Sequence, residues 1–208
     1  MILSTSFVKD YVDLDDDIDV KKLAEDMTRV GNEYDCAEKL VSATNLTIGE
    51  VLECTMHPDS DHLHLCKVDI GTEVLNIVCG APNVRTGLKV IVAKVGAELP
   101  GGVTIKKGNI RGQESNGMLC ALYEIGIDKK FLTDADKNGI CELPETAPVG
   151  GDPIKFLGLD DNVIDFELTA NRGDLLSILG MAYELSAIYD KEVRQPDLSH
   201  NETAEDIS

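Results

Sequence analysis

The sequence predicts a mostly β fold of the α+β class, in which a small β barrel is inserted into a helix-containing split domain. Three observations predict it. Between residues 46 and 122, short runs rich in β-branched and apolar side chains alternate with Gly, Pro and Asn, the texture of closely spaced strands. Before and after that stretch the spacing turns helical. Charge divides the chain the same way: residues 39–151 hold 11 Lys and Arg against 14 Asp and Glu, whereas the two flanks together hold 8 against 24. Helical, strongly acidic flanks around a β-rich, nearly balanced centre are most simply one domain interrupted by another.

The elements follow in order. Ser4 can cap a short helix holding Phe7, Val8 and Tyr11, and Asp19 can cap a second carrying Val20, Leu23, Ala24, Met27 and Val30. Gly31 then supplies the stop. Strand texture occupies 46–56, 63–70, 74–79, 88–95, 103–106 and 118–122, enough for a small barrel, closed or partly open. Residues 128–153 are rich in turns, with Pro144, Pro148, Gly150, Gly151 and Pro153, and read as the return path. A strand is expected over 163–169 and a broad-faced apolar helix over 174–189. The boundaries expected are therefore 1–38 plus 152–195 for the split domain and 39–151 for the insert, with 196–208 as a linker or the start of a further domain.

Composition excludes several classes. With 43% hydrophobic and 27% charged residues the chain is not mainly disordered. No run approaches the roughly 18 apolar residues of a membrane span, and the first residues lack a basic, then apolar, export signal, so a cytoplasmic location without membrane contact is expected. Six cysteines at 36, 54, 66, 79, 120 and 141 form no CxxC pair and read as scattered reduced thiols. A net charge of −19 argues against a free-standing nucleic-acid binder, because phosphate neutralisation needs cations.

Candidate chemistry is sparse. Asp134, Asp136, Asn138, Gly139 and Glu145 satisfy a calcium-loop pattern, but Pro144 and Pro148 forbid the exiting helix, so a solvated acidic turn is expected, with weak calcium binding as the competitor. His57, Asp59, Asp61, His62, His64 and Cys66 form a cluster of metal-ligand types, yet neighbouring ligands on one strand lie about 7 Å apart and a fourth donor is missing. No metal site is expected. Neither a nucleophile triad, nor a Walker loop, nor a dinucleotide fingerprint is present, so autonomous catalysis is not expected. The informative feature is a basic island: residues 80–111 carry Arg85, Lys89, Lys94, Lys106, Lys107 and Arg111 against Glu98 alone. Glycines in the intervening turns let backbone amides approach a phosphate, while the cations supply counterion release. The competing reading is a solvated barrel rim.

The motifs of this region resemble a known family. His57-Pro58-Asp59-Ser60-Asp61-His62-Leu63, Ile77-Val78-Cys79-Gly80-Ala81-Pro82-Asn83-Val84-Arg85, Gly96-Ala97-Glu98-Leu99-Pro100-Gly101-Gly102 and Ser115-Asn116-Gly117-Met118-Leu119-Cys120 are similar to the OB-fold tRNA-binding domain of the endothelial-monocyte-activating-polypeptide type. Ser4 to Leu14 and Leu168-Thr169-Ala170-Asn171-Arg172-Gly173-Asp174-Leu175-Leu176 resemble the split first domain of the bacterial phenylalanyl-tRNA synthetase beta subunit, so the likeness covers nearly the whole chain. It implies a five-stranded OB barrel and tRNA contact, with Asn83, Arg85, Lys94, Lys106, Lys107 and Arg111 positioning phosphates and Ser115 and Met118 lining the groove. It further implies a parent ligase using ATP and Mg²⁺ for aminoacylation, built as a heterotetramer of two alpha and two beta subunits. This portion would be non-catalytic and need no cofactor of its own. The alternative it leaves open is an assembly module with little RNA affinity.

Overall fold

The computed structural model describes residues 1–15 and 18–199. The expected linker at 196–208 lies largely outside the described residues. The protein is mostly β with a few helices, and its backbone groups into two units. One unites Met1–Glu38 with the chain from Asp161 onward, and the other is Lys39–Asp160.

In the split unit, Ile2–Ser4 pairs antiparallel with Asn162–Glu167, placing Leu3 opposite Ile164, and Glu33–Lys39 pairs on the other side of Asn162–Glu167. The Asp161 carboxylate ties the start of the chain down, accepting from Thr5 Oγ1 at 3.0 Å and from the Ser6 amide at 2.9 Å. The expected caps form: Ser4 Oγ accepts from the Phe7 amide, and Asp19 accepts from the amides of Lys21 and Lys22 at the head of helix Val20–Arg29. Gly31 ends that helix with φ +100°. Leu3, Val8, Leu23, Met27, Ile164, Phe166, Met181 and Leu185 form the core.

Two expectations change here. Glu33–Lys39, within a stretch read as helical, is an edge strand. Its side chains are mostly exposed, so no alternation of burial announced it. The helix expected over 174–189 divides into a 3₁₀ turn, Gly173–Leu176, and helix Ile178–Tyr189. Ser177 takes an extended conformation between them and caps the second through the Gly180 amide. The two pieces pack so closely that a Cβ on Gly180 would lie 1.9 Å from the Asp174 carbonyl oxygen.

In the second unit the hydrogen-bonded order is Gly117–Cys120, Lys89–Lys94, Leu46–Met56, His64–Asp69, Val74–Cys79, all antiparallel, and Glu142–Leu143 pairs beyond Gly117–Cys120 along the same edge of Lys89–Lys94. Buried residues lie on both sides of this sheet, Val51, Val68, Ile77, Val90 and Val92 in one cluster and Ile48, Ile91, Ala93, Cys120 and Ile125 in the other. Ile154, Leu157 and Leu159, past the turn-rich return, pack on the second cluster.

Among the described residues the ladders do not close. The expected five-stranded barrel is instead a six-stranded sheet, flanked by the short pairs Glu98–Leu99 with Val103–Thr104 and Gly108–Ile110 with Gln113–Ser115. Where its ends meet, the Asn116 amide donates to the Asn76 carbonyl at 2.8 Å, but the Val78 amide is taken by the buried Ser115 hydroxyl at 3.1 Å. A side chain satisfies the amide a closing strand would have used, and a seam is left between Val74–Cys79 and the 115–120 segment.

Candidate nucleic-acid interface

The seam carries clefts along its length. At the Val74 end, Lys94, Lys107, Asn45 and Asn116 line a cleft of about 570 Å³, together with Glu73, Val74, Leu75 and Val95. Each polar group has a local cause. Asn45 turns left-handed at φ +53°, donates through its side-chain amide to the Val95 carbonyl at 3.1 Å and accepts from the Lys94 amide at 3.2 Å. That clamp holds the end of Lys89–Lys94, where Lys94 emerges half-buried. Lys107 precedes a hairpin and pairs with Glu114, whose carboxyl it holds below the usual range. Val74 and Val95 are 51% and 46% exposed, apolar surface beside two ammonium groups. Lys106 is exposed, and neither it nor Lys94 makes an ion pair among the described residues.

The rest of the basic island is dispersed and engaged. Arg85 grips Glu142 with two bonds, 2.9 Å and 2.7 Å, and this pairing lowers the Glu142 carboxyl. Asn83 donates to the Ile140 carbonyl at 2.9 Å and to Glu142 at 3.0 Å while accepting from the Ile140 amide at 3.0 Å, a staple between its loop and the 140–142 segment. Gly139 is confined by that staple, since a Cβ there would meet Asn83 Oδ1 at 2.5 Å. Lys89 is held by the carbonyls of Glu145 and Ala147, both at 2.6 Å. Arg111 sits at φ +50° and donates to the Asp59 carbonyl at 2.6 Å. Thus Lys94 and Lys107 come together, with Lys106 adjacent in sequence. Asn83 and Arg85 share a different region with Glu142, and Ser115 lies beneath the seam.

Met118 lines a second cleft, of about 500 Å³, at the Cys79 end of the seam. Its other walls include Gly80, Ala81, Pro82, Tyr123, Glu124, Lys137 and Ile140. Burial pushes the Glu124 carboxyl above the usual range, and the Ala121 amide donates to its Oε2 at 2.7 Å. Lys129 stands 4.2 Å over the Tyr123 ring. Asn45, Tyr123, Glu124 and Lys137 were not singled out from sequence. Each reaches its cleft through pairing across the sheet or chain reversal, and no local pattern marks them.

The remaining motifs take structural parts. His57 is buried, its Nδ1 accepting from the Asp59 amide at 3.0 Å, which caps the 57–60 turn. His62 is exposed beside Asp61 at 2.8 Å. Asp134–Lys137 is a helical turn capped by Thr133, and Asn138 donates to the Asp134 carbonyl. Among the described residues no three His, Cys, Asp or Glu side chains converge in a way that could hold a metal ion. All six cysteines are free thiols, and burial pushes Cys120 up to about 12 and Cys141 up to about 11.

Comparison with known proteins decides what these clefts belong to. Residues 46–152 match the family model described as "Putative tRNA binding domain". The chain belongs to this tRNA-binding domain family. The matched residues include the Met118 cleft and all of the lysine cleft but Asn45, and start at the first strand of the second unit. Over 209 residues the chain is 46% identical to the phenylalanine–tRNA ligase beta subunit of Shouchella clausii, with 99% of this chain and 26% of that protein aligned. The beta subunit of Geobacillus kaustophilus is 45% identical over 209 residues, covering 100% of this chain and 26% of the relative. The chain therefore spans about a quarter of the length of these relatives. Among solved structures, a MetRS-related protein from Pyrococcus horikoshii aligns at TM-score 0.35 and 24% identity, over 50% of this chain and 84% of that one. The C-terminal domain of Plasmodium vivax p43 aligns at 0.36 and 21%, over 54% and 60%. Among the described residues no helix is long and apolar enough to cross a membrane.

Proposed function

We infer that the chain is the non-catalytic, tRNA-contacting N-terminal portion of a phenylalanine–tRNA ligase beta subunit. The observation that carries this reading is the cleft of Lys94, Lys107 and Asn116, inside the family-matched segment, with Asn45 one residue before it. The Lys94 ammonium, without an ion pair among the described residues, a Lys107 ammonium that would exchange Glu114 for phosphate, two amides able to bond phosphate or ribose, and flanking valines for the sugar or base edge form a surface for a nucleic-acid backbone. Lys106 extends it, and Arg111 and Arg85 contribute field rather than open contacts, being already bound to Asp59 and Glu142. The matched segment makes up most of an OB-type insert, 39–151, in a split domain of 1–38 and 152–195. The parent complex would contain the remainder of the beta subunit and an alpha subunit, two of each, acting in the cytoplasm with ATP and Mg²⁺ to attach phenylalanine to tRNA. Those cofactors would be held elsewhere in the complex.

Wild-type binding is expected to be weak at physiological salt, on the order of 10⁻⁴ to 10⁻⁶ M, since the acidic flanks repel the same phosphates. Filter binding of tRNA at low and moderate salt tests the reading, with replacement of Lys106, Lys107 and Arg111 by Ala flattening the salt slope by up to about two, or up to about three if Arg111 leaves Asp59 for phosphate. The second reading, an assembly module, is favoured by the internal engagement of Arg85, Lys89 and Arg111. Absence of tRNA binding at low salt would select it.

A further inference from the structure

The cleft at the Cys79 end of the seam differs in chemistry from the lysine cleft. It sets the Glu124 carboxylate and one ammonium, Lys137, beside an aromatic ring and walls of Ala81, Pro82, Met118 and Ile140, where the lysine cleft sets two ammonium groups beside Glu73 and has no ring. At about 500 Å³ it lies within the range of small-ligand sites. Tyr123 contributes an aromatic ring, and Lys137 places an ammonium group on the lining, 3.4 Å from Asp134. The Glu124 carboxylate is anchored by the Ala121 amide through Oε2, and no described donor pairs with its other oxygen. An acceptor held in place in a recess with apolar walls on one side and an ammonium on the lining suits a planar group bearing both N–H donors and acceptors.

The seam relates the two clefts. Val74 borders one and Cys79 the other, and a six-residue strand separates them by about 17 Å, a span that a short single strand of RNA bridges. We propose that, when a single-stranded segment lies along the seam with phosphates at Lys94 and Lys107, one unstacked guanine enters the Tyr123–Glu124 cleft. This rests on the RNA-binding reading given above. Guanine presents two adjacent N–H donors, N1 and N2, that match the two oxygens of one carboxylate. Its O6 and N7 acceptors suit the Lys137 ammonium. Adenine and cytosine offer a single exocyclic amino group on that edge, and uracil a single N–H. Glu124 is thus a specificity residue, whereas affinity comes from the lysine cleft.

The test uses the whole chain, a fluorescein-labelled all-uridine decamer and uridine decamers carrying one central guanosine, inosine, adenosine or cytidine, read by anisotropy at low salt. The guanosine decamer should bind roughly tenfold tighter than the others, inosine losing the advantage because it lacks the N2 amino group. Glu124→Gln should abolish the preference while leaving the all-uridine decamer unchanged, since the glutamine carbonyl still accepts from Ala121 and its amide turns a donor toward the base. Should that variant fail to fold, Lys137→Ala provides the second reading, with the guanosine advantage expected to fall about threefold. Equal binding of all decamers, a preference for cytidine, or a guanosine preference that survives both variants overturns the base pocket and leaves the lysine cleft standing. If no decamer binds at all, the RNA-binding reading fails with it.

Discussion

Lys94 and Arg85 are equivalent in the sequence, cations next to strands in one basic island, yet the protein uses them in opposite ways. Lys94 opens into a cleft with Lys107, Asn45 and Asn116, without an ion pair among the described residues. Arg85 is locked bidentately on Glu142, which also takes a bond from Asn83. A cation already paired releases fewer counterions on meeting RNA, so in the proposed reading Lys94 serves a binding surface and Arg85 a fastening.

The largest effect expected from this contrast is that of Lys94→Ala with Lys107→Ala, which should weaken tRNA binding at least tenfold at low salt and flatten the slope of log K against log salt by between about one and two, Lys107 having first to leave Glu114. Melting temperature should hardly change. Binding and slope at wild-type values would transfer the interface elsewhere. Next comes Asn83→Ala, which cuts three bonds of the staple to Ile140 and Glu142. Denaturant titration should show a loss of about 1–3 kcal/mol, with tRNA affinity unchanged below the transition. A loss of affinity without a loss of stability would make Asn83 the phosphate contact that the sequence suggested.

Glu142→Gln sharpens the comparison by freeing Arg85. It should tighten tRNA binding a fewfold and steepen the salt slope by up to about one, read in the same filter assay. Unchanged binding would mean that Arg85 lies off the RNA path altogether. The smallest effect is that of pH. Because Arg85 depresses the Glu142 carboxyl in the folded state, the pair adds stability that is complete above the ordinary glutamate value, near 4.5, and is lost as pH falls through the lowered folded value. Lys107 depresses Glu114 in the same direction. Thermal melts between pH 7 and 5.5 should therefore be insensitive to Glu142→Gln beyond a constant offset, and the difference between variant and wild type should shrink only below about pH 4.5. A difference that grew on acidification would reverse the assignment.

Much of the fold was legible because its signals are local. Ser4 and Asp19 cap helices as their side-chain chemistry requires, Gly31 stops one, and the β-branched runs at 46–56, 74–79 and 88–95 become strands. The strand at Glu33–Lys39 was hidden because an exposed edge leaves no alternating pattern, and the break at Ser177 because apolar spacing continues across it. Of the candidate site, the island's charge was legible but its partners were not. Arg85 and Glu142 are 57 positions apart, and Asn45 reaches Val95 across 50.

The sequence by itself determined where strands and helices can form, the sign and number of the charges, and the motifs that tie residues 46–152 to a tRNA-binding family. Local sterics and side-chain chemistry are enough for that. Tertiary structure alone decided which cations remain open, that Ser115 occupies the Val78 amide and leaves a seam, and that Glu124 faces a cleft with Tyr123 and Lys137. These depend on register between distant strands, and a partner's identity is set by which residue the ladder brings alongside.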